Sequence, residues 1–301
     1  MFPDAGFPGV VLRVTIGGLE YRDSANPEVT AGAGVDWDSL VSGAVARGWG
    51  GIECLSGIPG TVGGTPIQNV GAYGQEIAET LVSVTCLDRT TLERRTFTAR
   101  ECAFAYRDSR FKRDDRGRYV VLDVTFRLAR DRAPRIRYAE LRDAVARQTS
   151  LEAVSSAQAV KVVRETVLAL RRGKSMVLDP SDPNTRSVGS FFTNPVLAPP
   201  AFARLEERWR DTGAGQGTPI PTFPADGGVK VPAAWLVERA GFAKGYRRGG
   251  AGISSRHALA LVNFGGTSAE LLALAESVRE GVAARFGVRL EFEPEVVPVT
   301  I

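Results

Sequence analysis

Apolar and polar positions alternate most clearly at residues 120–128. Val120, Leu122, Val124, Phe126 and Leu128 are interleaved with Val121, Asp123, Thr125 and Arg127, the two-residue period of a half-buried strand. Val82, Val84 and Cys86 repeat the pattern, and Asp88-Arg-Thr-Thr predicts a turn into a partner strand at residues 95–98. A short strand is also expected at residues 10–14, behind Phe2 and Phe7. Helical spacing shows in three places. Asp36 precedes Leu40, Val41, Ala44 and Val45, which predicts a capped helix ending at Gly48. Val160, Val163, Val167 and Leu170 share one face of a helix over residues 156–172, with Gly173 as its C-terminal cap. Thr267 and Glu270 form a capping box ahead of Leu271, Leu274, Val278, Val282 and Phe286; Gly287 ends that helix, and Val288, Leu290 and Phe292 alternate as a strand. The class is α+β, with a boundary near residue 150 that separates domains 1–150 and 151–301.

At 301 residues, 44% apolar and 24% charged, the chain has the composition of a soluble globular protein. It holds no run of 18 apolar residues, and its first residues lack the pattern of a secretory signal, so a cytoplasmic protein is expected. Three cysteines without a CxxC pair argue against a disulfide framework or a zinc knuckle. The single histidine, His257, rules out a multi-histidine metal centre, and no metal is expected. A net charge of +4 spread over scattered arginines suits a phosphorylated small ligand better than nucleic acid, for which no module is present.

The stretch SGIPGTVGGTPIQNVGAYG at 56–74 carries six glycines in 19 residues. No Lys closes it in the manner of a Walker loop. The nearest dinucleotide fingerprint, AGAGVD at 31–36, lacks its third glycine. Bare backbone of this kind lets several N–H groups approach one ligand, although a plain connection between strands would share the composition. Gln68 and Asn69 add side-chain amides able to pair with a heterocycle edge.

IPGTVGGTPIQNVGAYG resembles the flavin-contacting loop of the UDP-N-acetylenolpyruvoylglucosamine reductase (MurB) family. AYRDSRF at 105–111, VGSFFTNP at 188–195 and FEPEV at 292–296 match further family motifs in order, and KSMVLDP at 174–180 and VPAAWLVERAG at 231–241 are also similar. The resemblance covers nearly the whole chain. It implies an FAD-binding domain of the PCMH/vanillyl-alcohol-oxidase type followed by a MurB-type substrate domain. It further implies reduction of an enolpyruvyl ether on a UDP-sugar by NADPH through FAD, in a cytoplasmic protein expected to be a monomer that engages neither membrane nor nucleic acid.

Carried over residue by residue, the resemblance gives FAD the loop positions Gly57, Ile58, Pro59, Gly60, Gly63, Gly64, Thr65, Gln68, Asn69 and Gly71. It gives the chemistry to Arg107, Ser190 and Glu295. A guanidinium suits Arg107, because charge develops on the substrate carboxylate and a planar cation holds carboxylate bidentately. Ser190 matches the family's proton donor; on its own, a serine in GSFF would pass for a turn serine. Glu295 matches the glutamate near the substrate carboxylate, where two carboxyl groups would share a proton. Tyr73, Tyr138, Lys174 and Asn194 are implied for the UDP-sugar, with His257 a minor candidate that a structural role would explain equally well.

One departure stands out. The chain opens on FPDAGFPGVVLRV, similar to the stretch just after the family's Gly-Gly-Gly-Ser-Asn-type loop, which implies weak retention of FAD. Two other functions fit the same residues: another FAD-dependent oxidase on this fold, or a truncated, non-catalytic paralogue that binds UDP-sugars. The GSFFTNP and EPEV motifs argue against the first, and retention of Arg107, Ser190 and Glu295 against the second.

Overall fold

The strand predicted at residues 120–128 is the middle strand of a five-stranded antiparallel sheet. The computed structural model describes residues 1–213, 215 and 217–297. The chain packs as two units: an N-terminal unit, Leu12–Val177, and a C-terminal unit that runs from Leu178 onward and takes in Met1–Val11.

The N-terminal unit contains β1 (Leu19–Arg22), β2 (Glu28–Gly32), α1 (Trp37–Ala46), the small hairpin β3 (Gly71–Ala72) and β4 (Gln75–Glu76), then β5 (Leu81–Asp88), β6 (Arg94–Thr98), β7 (Tyr119–Arg127), α2 (Ala139–Ala146) and α3 (Ser156–Gly173). Its sheet runs β1-β2-β7-β5-β6. Asp36 caps α1 by accepting the Ser39 N–H, as predicted, and the helix buries Trp37, Leu40, Val41 and Ala44 in the main core, Trp37 meeting Phe126 of β7 edge-on at 5.7 Å.

The alternation in β7 is broken once. Thr85 of β5 stands opposite Asp123 and Cys86 opposite Val121, so Leu122 is an inserted residue whose carbonyl accepts the Ala33 N–H. The bulge shifts the phase: Val124, Phe126 and Leu128 are buried as expected, but before them the core receives Val121 in place of Val120 and Leu122. The strand expected at residues 10–14 is absent. Val10 and Leu12 are 83% and 85% exposed, and the first backbone bonds to the sheet come at Ile16 and Gly18, whose carbonyls accept from Gly34 and Gly32. Apolar character alone does not make a strand without a ladder partner.

α3 also differs at its end. Gly173 is still helical, and the left-handed residue is Ser175 (φ 55), with Ser175 N–H bonded to Arg172 O and Met176 N–H to Arg171 O in a Schellman closure. Val160 enters the main core, while Val163 and Val167 pack with Leu141, Val145 and Cys54. α3 therefore stays with the sheet unit, and the packing break falls after Val177 rather than near residue 150.

The C-terminal unit contains β8 (Ser187–Ser190), β9 (Val196–Leu197), α4 (Pro199–Asp211), β10 (Phe223–Ala225), β11 (Gly228–Lys230), α5 (Ala233–Arg239), β12 (Arg247–Arg248), β13 (Ala251–Ile253), β14 (Ala260–Asn263) and α6 (Ser268–Phe286). One sheet runs β12-β13-β14-β8 and a second β10-β11-β9. The capping box of α6 forms as predicted, and Gly287 ends it at φ 69. Its six buried side chains, Leu271 to Phe286, anchor the unit's core, each fully buried Leu, Val or Phe contributing roughly 1.5–3 kcal/mol. Val288 and Leu290 are buried in alternation, but Phe292 meets Phe192 in a single bridge instead of a continuous strand. Met1–Val11 is tied to this unit by Asp4, whose carboxylate accepts the Ser268 and Ala269 N–H groups at the start of α6. Among the described residues, no helix is long and apolar enough to cross a membrane.

Candidate active site

The glycine loop has a buried root and an exposed crest. At the root, Gly57 (φ 71) is wedged so closely that a Cβ would lie 2.8 Å from Leu168 and 3.1 Å from Val177. Gly63 leans on Ala33 in the same way. Pro59, Gly60, Thr61 and Gly64 form the crest, where a Cβ on Gly60 or Gly64 would meet nothing within 4 Å. Among the described residues, the N–H groups of Ile58, Gly60 and Gln68 and the Gln68 amide have no hydrogen bond. The loop thus presents open glycine faces and unspent donors, which fits a ligand rich in acceptors such as FAD.

The root is held by a charged clasp between α1 and α3. Asp38 Oδ1 accepts the Gly57 N–H at 2.7 Å, and Arg164 grips both Asp38 oxygens at 2.7 and 2.8 Å. Burial works to raise the Asp38 pKa, but Arg164 and the Gly57 N–H outweigh it and hold the carboxyl below its usual range. Beside it, Arg171 is buried and donates to Gly57 O and Met176 O, while its Nε–H has no partner among the described residues. Burial lowers its pKa, with Tyr73 and Asp38 opposing. A fixed cation with an unsatisfied, buried Nε–H therefore lies beside the root of the loop.

Asp38→Asn is expected to cost about 1–3 kcal/mol at pH 7, the scale of a charge-assisted hydrogen bond. A depressed carboxyl stabilises the fold above the unfolded value of about 3.9, and that contribution is lost as pH falls through the lower folded value. The gap between parent and variant melting temperatures should therefore close in acid. A gap that is constant from neutral pH into acid would contradict the clasp.

Arg107 sits in a two-residue turn, Tyr106-Arg107, closed by reciprocal backbone bonds between Ala105 and Asp108. Its φ is 54, and Nη2 donates to Gly71 O at 2.8 Å. Asp108 pairs with Arg113 at 2.6 Å. Tyr73, Tyr138 and Lys174 form a second group. The two rings meet edge-on at 5.5 Å, Lys174 Nζ lies 5.8 Å from the Tyr73 ring centre, and it pairs with Glu140 Oε2 at 2.5 Å. Burial pushes the Tyr73 hydroxyl up to about 12.

In the C-terminal unit, Ser190 ends β8 opposite Ala260, just after Gly189 at φ 82. It is half-buried, and its hydroxyl makes no hydrogen bond among the described residues. The chain bearing Glu295 runs alongside: Glu293 N–H donates to Phe191 O and Thr193 N–H to Glu291 O. Asn194 Oδ1 accepts the Ala233 N–H at the start of α5. His257 sits on the β13–β14 connection, with Nδ1 accepting the Leu259 N–H. No group of three His, Cys, Asp or Glu side chains able to hold a metal exists among the described residues.

Residues 180–297 match the sequence pattern of the family described as UDP-N-acetylenolpyruvoylglucosamine reductase, C-terminal domain, and residues 1–94 that of an FAD binding domain. The UDP-N-acetylenolpyruvoylglucosamine reductase of Thermobifida fusca is 52% identical over 305 residues, covering 99% of this chain and 83% of that protein. That of Salinispora arenicola is 50% identical, covering 98% and 80%. The chain belongs to the UDP-N-acetylenolpyruvoylglucosamine reductase family. A solved family structure from Thermus caldophilus, at 24% identity, superposes with a TM-score of 0.58 over 89% of this chain and 72% of that one, so the fold is shared.

Within this family fold, the N-terminal unit gathers the glycine loop, Arg107 and the Tyr73–Tyr138–Lys174 group, and the C-terminal unit holds Ser190, Asn194, His257 and Glu295. Two polar side chains of the loop expected to meet FAD, Thr65 and Asn69, are turned inward. The Thr65 hydroxyl donates to Val62 O, and the Asn69 amide is spent on hydrogen bonds to Glu76, Ala105 and Ala78. Three residues of the constellation were not singled out from the sequence. Arg171 continues the stripe of Val160, Val163 and Val167 at four-residue spacing, and an arginine on an apolar stripe was the available signal. Asp38 and Glu140 carry no such signal, because their partners Arg164 and Lys174 are distant in sequence.

Proposed function

We propose that this chain reduces UDP-N-acetylglucosamine enolpyruvate to UDP-N-acetylmuramate, with NADPH as reductant and FAD as resident cofactor. The observation that carries the reading is identity of about one half with reductases of that name along almost the entire chain. The crest of the loop at residues 58–64, Gln68 and Arg171 would hold the flavin, which when bound relays hydride from NADPH to the outer vinyl carbon. Arg107 binds the substrate carboxylate as a fixed bidentate cation and stabilises the charge that spreads onto it. Ser190 delivers a proton to the neighbouring carbon, and Glu295 lies by the carboxylate and sets its protonation. Lys174, beside the Tyr73 ring, offers a mobile charge to the diphosphate, and Asn194 adds an amide. The reading extends to a cytoplasmic monomer in peptidoglycan precursor synthesis, since the nucleotide sugar and NADPH are both cytoplasmic pools.

The test is spectroscopic and kinetic. The purified chain, given FAD, should show a protein-bound flavin spectrum and consume NADPH only when the enolpyruvyl UDP-sugar is added. NADPH consumption that depends on oxygen and ignores that substrate would replace this reading with an oxidase. Binding of the UDP-sugar without any turnover would reduce it to a binding protein.

A further inference from the structure

We propose that Asn69 is the positioning residue for Arg107: its side-chain amide locks the left-handed turn from which the guanidinium projects. The proposal rests on the role given to Arg107 above. Asn69 lies on the glycine loop but is only 1% exposed. Nδ2 donates to Glu76 Oε2 at 2.7 Å and to Ala105 O at 3.0 Å, and Oδ1 accepts the Ala78 N–H at 3.1 Å. Glu76 pairs with Gly71 across the β3–β4 hairpin, and Gly71 O is the acceptor for Arg107 Nη2. Ala105 opens the Tyr106-Arg107 turn. One amide therefore clasps both the hairpin that receives the guanidinium and the turn that carries it.

The turn needs such a clasp. Only its second central residue has positive φ, the position a type II turn reserves for glycine, yet Arg107 occupies it. Tyr73, two residues beyond Gly71, is also left-handed at φ 50. Residues held in this region persist only when their surroundings over-determine them. Asn69 itself is at φ 48, where asparagine is tolerated, so the latch adds little strain of its own. The contacts are tight: a Cβ on Gly71 would lie 2.8 Å from Glu76 Cγ and 3.2 Å from Arg107 Nη1. Lys112 Nζ, donating to Arg107 O, and Ser109 Oγ, donating to Ile67 O, fasten the other sides of the turn.

Two variants test the latch in flavin-loaded protein. Asn69→Gly keeps the left-handed backbone accessible and removes the amide; Asn69→Asp keeps the shape and the Ala78 bond but loses both donors. Each should slow reoxidation of NADPH-reduced protein by the enolpyruvyl substrate about 10- to 100-fold, the scale of a catalytic group displaced by an ångström. Flavin content should hold; the melting temperature should fall by several degrees, the scale of lost buried hydrogen bonds, with both variants still fully folded at the assay temperature. In an Arg107→Ala background, Asn69→Gly should add nothing, since a positioning residue then has nothing to position. Hydrogen exchange at the Asp108 amide should quicken in both Asn69 variants, whatever the chemistry. If Arg107→Ala itself left substrate reduction intact, the role of Arg107 would fall while the exchange readout still reported the latch. Undiminished reoxidation in both variants, an equal additional loss in the Arg107→Ala background, or a rate loss that tracks lost flavin or lost fold would each overturn the proposal.

Discussion

Replacing Ser190 with alanine is expected to separate the two halves of the reaction. NADPH should still bleach the flavin absorbance, because that transfer needs no proton donor at the substrate carbon. Reoxidation by the enolpyruvyl substrate should slow by several orders of magnitude, beyond the roughly 10²–10⁴-fold typical of one general acid. The structure supports a clean variant. Ser190 is half-buried at the end of β8, its pairing with Ala260 is through backbone, and its hydroxyl bonds to nothing among the described residues. Loss of that oxygen should leave stability within about 0.5 kcal/mol of the parent. Rapid mixing of reduced variant and reduced parent with substrate decides the matter, and equal rates would remove Ser190 as the acid.

Arg107→Lys carries the second large effect. The charge remains, but the planar fork that binds carboxylate through two N–H groups is lost, as is the geometry of the bond to Gly71 O. Substrate reduction should fall about 10²-fold or more, the scale of removing one donor from a charge-stabilising site. Flavin content should stay at the parental level, since the guanidinium reaches toward the β3–β4 hairpin and not into the crest of the loop. Near-parental turnover in a steady-state assay would take Arg107 out of the mechanism.

Periodicity and capping chemistry were enough to place α1, α3, α6 and the β5–β6–β7 core, because each buries apolar side chains at the spacing of its element over most of its length. What periodicity missed was local and physical. The bulge at Leu122 shifts a phase that depends on the partner strand. The left-handed end of α3 falls on Ser175 because the Schellman bonds to Arg171 and Arg172 put it there, despite the nearby glycine. The site divides along the same line. Gly57 and Gly60 are glycines for reasons visible in the fold, φ 71 and 117, and the motifs that flagged them needed no structure. Asn69 was singled out for a ligand, yet its amide is spent inside the unit, and no spacing rule could reveal partners at Glu76, Ala78 and Ala105 together. Arg171 and Asp38 act through contacts between α1, α3 and the loop that only the folded chain brings about.

The central claim, that this chain passes electrons from NADPH to an enolpyruvyl UDP-sugar, is tested most directly by an anaerobic single-turnover experiment. Flavin-loaded protein is bleached with one equivalent of NADPH, then mixed either with UDP-N-acetylglucosamine enolpyruvate or with aerated buffer. The account predicts prompt return of the flavin absorbance with the sugar nucleotide, one equivalent of UDP-N-acetylmuramate formed, and slow return with oxygen. Prompt return with oxygen, while the sugar nucleotide leaves the flavin bleached, would contradict it.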